Sequence, residues 1–465
     1  MNSEEWYSDY KIHHLEFCRM KRVVCCGTHK PFTMRSQAMY IILIMSILST
    51  IMIIVTVLLF YDKGNPFTKN NIHSMQNQNH TSMLNNVRLH RQSSESIRAH
   101  CLRDKSYASV SMQQRILVTG GAGFLGMHTT MRLLKLGHSV IVFDSMNSCY
   151  STDLKHKRVE KMRTAGAIIV HGNVCDGGVL REILRTYRID RVIHLAAQAG
   201  VRYSLEAPLE YIESNVKCFV VLCEALARLN MTSNHLVYAS SSSVYGLNTK
   251  FPFAESDTVI NPASLYAVTK ASDELIARAY FDLHQLKSIG LRFFTVYGPW
   301  GRPDMAYYSI VHNIMNNISI PVYNNGQSMR DFTFIDDVVD GIISSLFIEI
   351  ASSEIINIGN NKGVKLMDFV TIIERNVGKS AHIEYKAMAK GDVPLTYANI
   401  EKAKCMLAYN PITTIDEGIS KFVKWFVAED GSSYMYPKNV SKKPNMWQQQ
   451  KKPFLPSILQ STSKI

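Results

Sequence analysis

The chain has 465 residues, 46% of them hydrophobic, and a formal net charge of +13. That length leaves room for two or three domains, and that hydrophobic fraction excludes wholesale disorder. Twelve of the thirteen charges sit in residues 1–38, 61–114 and 431–465, so the middle is near neutral. A basic face that would read nucleic acid on the fold itself is therefore not expected.

In chain order, residues 1–38 read as a cytosolic segment. Residues 39–60, MYIILIMSILSTIMIIVTVLLF, carry no charge. At 1.5 Å rise they span ~33 Å, enough for a ~30 Å hydrocarbon core. Arg19, Lys21, Arg22, Lys30 and Arg35 precede this span, and only Lys63 and Lys69 follow it closely. The positive-inside rule then predicts a single-pass type II anchor with everything after it in a lumen. Glycosylation sequons at Asn79, Asn230, Asn317 and Asn439 all lie beyond the span. Residues 61–112, rich in Asn, Ser, Gln and His, read as a flexible stem. The nine cysteines show neither zinc spacing nor a disulfide framework. Cys25-Cys26 read as cytosolic thiols. Cys149, Cys175, Cys218, Cys223 and Cys405 fall in segments that read as core elements and their connections. No metal site is expected.

From Arg115 short apolar runs alternate with helical periods. Strands are predicted at Arg115–Thr119, Ser139–Phe143, Ile168–Val170, Arg191–Leu195, His235–Ala239 and Ser288–Phe293. Helices include Phe124–Leu136, Pro208–Leu229 and Ser264–His284. This alternation demands parallel pairing with right-handed crossovers, hence an α/β, Rossmann-type doubly wound sheet. The predicted layout is a dinucleotide-binding domain over 113–296 and a smaller substrate lobe with returning elements over 297–430. A basic tail follows at 431–465.

The turn after the first strand reads Thr119-Gly-Gly-Ala-Gly-Phe-Leu-Gly126, placing glycines at 120, 123 and 126. Such a turn brings backbone close to a pyrophosphate and aims a helix N-terminus at it. Asp144 ends the second strand, where a carboxylate takes ribose hydroxyls and repels a 2′-phosphate, so NAD is favoured over NADP. Further on, Tyr266 and Lys270 share one helix face at i, i+4. A free tyrosine ionises near ~10, and an ammonium beside it favours the phenolate, making Tyr266 a candidate base. Upstream, the fifth strand runs into Ser240-Ser-Ser-Ser-Val-Tyr-Gly246.

These motifs resemble the extended short-chain dehydrogenases/reductases, and from about Arg115 to Val427 the chain is similar to the UDP-glucuronate 4-epimerase family. The resemblance rests on His194-Leu-Ala-Ala-Gln-Ala-Gly-Val-Arg-Tyr203, the serine run, Tyr245–Lys250, Pro262–Ala267, Leu291–Ala306, Arg330–Asp337 and Gly391-Asp-Val-Pro394. It implies NAD contacts at Gly120, Gly123, Phe124, Leu125, Gly126, Asp144, Asn173, Val174, Ala196, Tyr266 and Lys270. It implies that Ser241 polarises the sugar O4, that Tyr266 takes the O4 proton while the C4 hydride goes to NAD, and that Lys270 supports the phenolate. The 4-keto sugar then swings and takes the hydride back on its other face. Arg302 is implied as the grip on the glucuronate carboxylate, Arg330 and Asp392 as UDP contacts, and Arg202, Ser242, Ser243 and Thr295 as further substrate residues. Plant members with a similar anchor reside in the Golgi membrane. Helices Pro208–Leu229 and Ser264–His284 resemble the pair that forms a homodimer interface in relatives.

Two positions depart from the family pattern. Gly172-Asn-Val replaces Gly-Asp-Ile, so Asn173 is expected to act through its amide oxygen, and Cys149 stands where plant members carry an aromatic. Two rival readings remain. A UDP-glucuronate decarboxylase could share the fold and the intermediate, but such enzymes resemble one another in placing an acid just before Val-Tyr-Gly, where this chain has Ser242 and Ser243. A silent NAD-binding scaffold is disfavoured because tyrosine and lysine are both present.

Overall fold

The computed structural model describes residues 112–231, 236–389 and 391–435. The expected anchor at 39–60, its flanks, residues 436–465 and His235 lie outside these residues. Among the described residues no helix is long and apolar enough to cross a membrane.

Six strands come first in the chain: β1 (Arg115–Thr119), β2 (Ser139–Asp144), β3 (Ile168–His171), β4 (Arg191–His194), β5 (Leu236–Ser241) and β6 (Ser288–Phe293). They agree with the sequence reading to within a residue or two. Together with a later strand, Glu354–Ile358, they form a seven-stranded sheet whose pairings are all parallel. The strands are apolar almost throughout because helices cover both faces. On β1, Ile116 and Val118 pack into the larger core while Leu117 enters a second core on the opposite face. From one edge the first six strands run β3-β2-β1-β4-β5-β6, so strand order reverses between β1 and β4. Crevices at such reversals, outside the carboxyl ends of the strands, are where ligands bind.

The helices named below are α1 (Phe124–Lys135), α2 (Thr152–Thr164), α3 (Gly177–Thr186), α4 (Cys218–Arg228) and α5 (Leu265–His284). Ser264 caps α5 by accepting from the Ala267 amide. The segment expected as one helix from Pro208 to Leu229 is interrupted: a π-helical stretch, Ile212–Lys217, separates Pro208–Tyr211 from α4. The extra residue in that turn points Asn215 inward. Its side chain is buried, accepts from the Gln198 amide at 2.8 Å, and donates to Gln198 O and Thr269 Oγ1, both at 3.0 Å.

Beyond Phe293 the chain builds a second lobe. Thr295–Tyr297 pairs in parallel with Met329–Phe334, which also pairs with Gly363–Lys365 and Leu395–Thr396. Arg158 on α2 ties this lobe to the glycine turn. Its guanidinium is wholly buried and donates to Ala122 O, Trp300 O, Gly301 O and the Tyr150 hydroxyl. Nothing in the sequence marked it, since an arginine in a charged helix ordinarily faces water. Arg158→Met fills similar space but strands these carbonyls. We expect a loss of about 2–4 kcal/mol in urea unfolding; stability within experimental error of the parent would show that the tie contributes nothing.

Candidate active site

A cleft of about 1820 Å³ opens where the strand order reverses, lined from the glycine turn through the serine run to the second lobe. Every site residue expected from sequence lines it except Arg202.

At the nucleotide end, Gly120 has φ +68, and a Cβ there would lie 2.5 Å from Ala196 N. A Cβ on Gly126 would run into Gly120 O. Only glycine allows β1, β4 and α1 to meet this closely. Gly123 caps α1 without a side-chain hydrogen bond, which leaves the first amides of α1 directed at the cleft. A dinucleotide pyrophosphate fits this cradle. Phe124, Leu125, Val174 and Ala196 line the same end. Asp144 accepts from the amides of Ala122 (3.0 Å) and Met146 (2.8 Å), which fixes its carboxylate at the cleft rim. The Asn173 amide oxygen accepts from Cys175 N at 2.9 Å, so it is already used within its own turn.

The cysteine expectation needs correction. Cys175, just before α3, and Cys218, which opens α4, form a disulfide, and Cys218 lines the cleft. The two are 43 residues apart in sequence. No local spacing signals the pair, because the crossover packing of α3 against α4 is what brings them together. Cys149 and Cys223 are free.

In the middle of the cleft, Ser241 ends β5 and its hydroxyl accepts from the Ser243 amide at 3.2 Å. Tyr266 lies in the first turn of α5, edge-on to Tyr211 at 6.0 Å. The Lys270 ammonium, almost fully buried, donates to Ala239 O at 2.9 Å and to Asp273 Oδ2 at 3.0 Å. Asp273 was not anticipated from sequence, although its i+7 spacing from Tyr266 on the same helix was the available signal. Behind it, Glu274 accepts from Ser240 and from both Nε and Nη2 of Arg292 in a buried ion pair. His194, below the cleft floor, bonds Thr119 Oγ1 at 2.7 Å, and burial lowers its imidazole to about 3, so it is neutral.

At the far end lie the hydroxyls of Ser242, Ser243 and Thr295, none hydrogen-bonded to protein among the described residues. Arg302 is held by Asp304 through Nε at 3.0 Å and Nη2 at 2.6 Å, and Nη2 also reaches Ala199 O. Its Nη1 has no such partner among the described residues. Burial alone would depress this guanidinium, but Asp304 carries it above its ordinary value. Tyr150, a cleft residue that sequence reasoning passed over, lies under Arg302 at 5.7 Å and also meets Arg158. Arg330 donates to Met329 O and Pro394 O and makes no ion pair among the described residues. Burial lowers it, with Asp392 opposing and Arg202 adding to the shift. Arg202 lies outside the lining, half exposed, paired with Asp392 at 3.1 Å and stacked over Tyr323. It can shape this end of the cleft through Asp392.

Residues 116–359 match the NAD dependent epimerase/dehydratase family. Protein CapI of Staphylococcus aureus is 44% identical over 331 residues, covering 67% of this chain and 98% of its own. UDP-glucuronate 4-epimerase 4 of Arabidopsis thaliana is 43% identical over 329 residues, covering 67% and 75%. Among solved structures, UDP-glucuronic acid 4-epimerase from Bacillus cereus in complex with UDP-glucuronic acid and NAD superposes with a TM-score of 0.64. It is 30% identical, over 68% of this chain and 99% of that one.

Proposed function

Because the chain belongs to the NAD dependent epimerase/dehydratase family, we propose that it interconverts UDP-glucuronate and UDP-galacturonate by inverting C4 of the sugar. The chain is an NAD-dependent epimerase. The observation that carries the finer reading is one cleft in which Ser241, Tyr266 and Lys270 stand between the glycine cradle and the three unengaged hydroxyls of Ser242, Ser243 and Thr295. Bound NAD supplies a reversible acceptor for the C4 hydrogen with its electron pair. Ser241 holds O4, Tyr266 takes its proton, and the Lys270 ammonium favours the resulting phenolate. The sugar is left as a 4-ketone, and after it turns in the cleft Tyr266 would return the proton to O4 while the hydride would come back from the reduced cofactor to the opposite face of C4, which inverts it.

Substrate choice rests on the far end. A uronate carboxylate needs donors, and the three free hydroxyls together with Arg302 Nη1 offer them. Asp304 already engages the other edge of the Arg302 fork, so the hydroxyls share the grip rather than leaving it to the arginine. Arg330, which makes no ion pair among the described residues, supplies a cation for the diphosphate. Decarboxylation finds no acid in the serine turn.

For the cellular setting, the proposed reading is a type II Golgi membrane enzyme with the catalytic part lumenal. The charge asymmetry about residues 39–60 supports it. So does the Cys175–Cys218 disulfide, since disulfides persist in oxidising compartments. A homodimer is proposed from the exposed Leu209, Ile212, Val220, Leu275 and Leu283 along the Pro208–Arg228 segment and α5; purely monomeric sedimentation would exclude it.

Full-length enzyme incubated with UDP-glucuronate is expected to yield UDP-galacturonate by NMR, and UDP-pentose as the main product would overturn the reading. Tyr266→Phe should lower turnover by ~10²–10⁴-fold while NAD stays bound; near-normal turnover would remove Tyr266 from the role of base. Arg302→Leu should lower kcat/KM on UDP-glucuronate roughly 10²-fold while sparing UDP-glucose, and an equal loss on both sugars would assign Arg302 to the loop rather than the carboxylate. Protease added to intact microsomes should trim only the N-terminal segment, and digestion of the catalytic part without detergent would reverse the topology.

A further inference from the structure

Tyr266, Lys270 and Asp273 follow one another at i, i+4 and i+7 along α5, so they occupy one stripe of the helix. The first two line the cleft, and the third is shut off from water. Side-chain exposure is 3% for Lys270 and 2% for Asp273, and the pair is 3.0 Å apart. Among the described residues Lys270 Nζ has one other partner, Ala239 O at the end of β5. Asp273 Oδ2 therefore fixes half of the position of the catalytic ammonium. Its second oxygen, Oδ1, is buried with no hydrogen-bond partner. A carboxylate kept only for packing would be expected to satisfy both oxygens, because an unmet buried acceptor is costly.

The charges around this pair reduce to very few. Glu274, next on α5, is neutralised by Arg292 from β6 in an almost dry ion pair. Cys223, facing from α4, has its thiol pushed well up by burial and is uncharged at neutral pH. Tyr238 on β5 is likewise raised well above its ordinary range. His194 on β4 is lowered to about 3 and is neutral. Tyr245, beneath Arg292, is raised by burial. What remains is one cation, Lys270, and one anion, Asp273. Burial raises the Asp273 carboxyl, and the Lys270 ammonium 3.0 Å away pulls against that shift and pairs with it.

We infer that Asp273 is a positioning residue that anchors Lys270 and offsets part of its positive field at Tyr266, setting the pH at which the tyrosine becomes a base. The inference rests on the epimerase reading for its kinetic test but not for its geometry. An ammonium backed by a carboxylate stabilises a nearby phenolate less than a bare ammonium does. The carboxylate is one helical turn farther from Tyr266 than the lysine is, so it trims the field without cancelling it.

The test is the pH dependence of kcat for full-length enzyme, read from about pH 5 to about pH 9, in the parent and in Asp273→Asn. The substitution keeps the shape and an oxygen that can accept from Lys270, and removes the charge. The acid limb of kcat is expected to move down by about one unit, with KM for UDP-glucuronate within about twofold. Asp273→Ala serves as a second variant if the first does not fold, and it should move the limb the same way with a larger loss of maximal kcat, since Lys270 then keeps only Ala239 O. A limb that stays in place in a folded variant, with turnover reduced equally at every pH, would reduce Asp273 to a packing role and overturn the inference. A limb that moves up would also overturn it, because the carboxylate would then be strengthening the base. A second readout needs no turnover. Tyrosinate absorbance, taken as the difference from Tyr266→Phe, should appear at lower pH in Asp273→Asn than in the parent. If the protein fails to epimerise UDP-glucuronate but this signal moves, the function falls and the role of Asp273 stands; if turnover is present and the signal is fixed, the reverse holds.

Discussion

The backbone contact between Gly120 and the Leu195–Ala196 segment governs the rest of the cleft. With a Cβ at 120 the ends of β1 and β4 would have to part, since it would lie 2.6 Å from Leu195 C and 2.5 Å from Ala196 N. Their closeness sets where α1 begins, and so where its unpaired amides point. It also fixes the stretch from Leu195 to Gly200 that forms the floor. Gln198 on that floor is in turn held by Asn215, and Thr269 by the same amide. The glycine turn, the floor and α5 with its tyrosine and lysine are thus registered to one another through short polar contacts.

Electrostatics in the cleft follow a gradient. The middle is nearly free of unpaired charge: His194 is neutral, Glu274 is matched by Arg292, and Lys270 is matched by Asp273. At the far end Arg330 makes no ion pair among the described residues, and Arg302 shares its charge with Asp304. An anionic ligand is therefore drawn to the ends, while proton movement takes place in a region where a single charge has a large effect. Arg158 matters here mechanically, because it holds the loop that carries Arg302 against the turn that follows β1.

The sheet was legible from sequence because each strand is a short apolar run and each crossover helix carries its own period, with glycines marking the first turn. The residues that line the cleft were legible where a motif fixes them, as at Gly120, Asp144, Ser241, Tyr266 and Arg302. What escaped depends on tertiary contact. Arg158 looks like any basic residue in a helix with the sequence TDLKHKRVEKMRT, and only the second lobe folding over α2 buries it. Cys175 and Cys218 meet because α3 and α4 pack side by side. Arg202 belongs to a matching motif yet lies outside the lining, turned toward Tyr323 and Asp392. Asp273 sits outside the tyrosine–lysine motif, though its spacing could have drawn attention.

The π-helical turn at Ile212–Lys217 has a genealogical consequence. Such a turn holds one residue more than regular winding needs, so it has the form of an ordinary helix that gained a single residue and absorbed it locally. Healing the turn by deleting one residue would advance everything upstream by about 100° relative to α4. Asn215 would swing off the Leu195–Gly200 floor segment, while Phe219 and Leu222 could keep their places in the core. Length at this point is thus as much a part of the site as residue identity, and a chain of the same fold with a shorter segment here must hold its floor by other means.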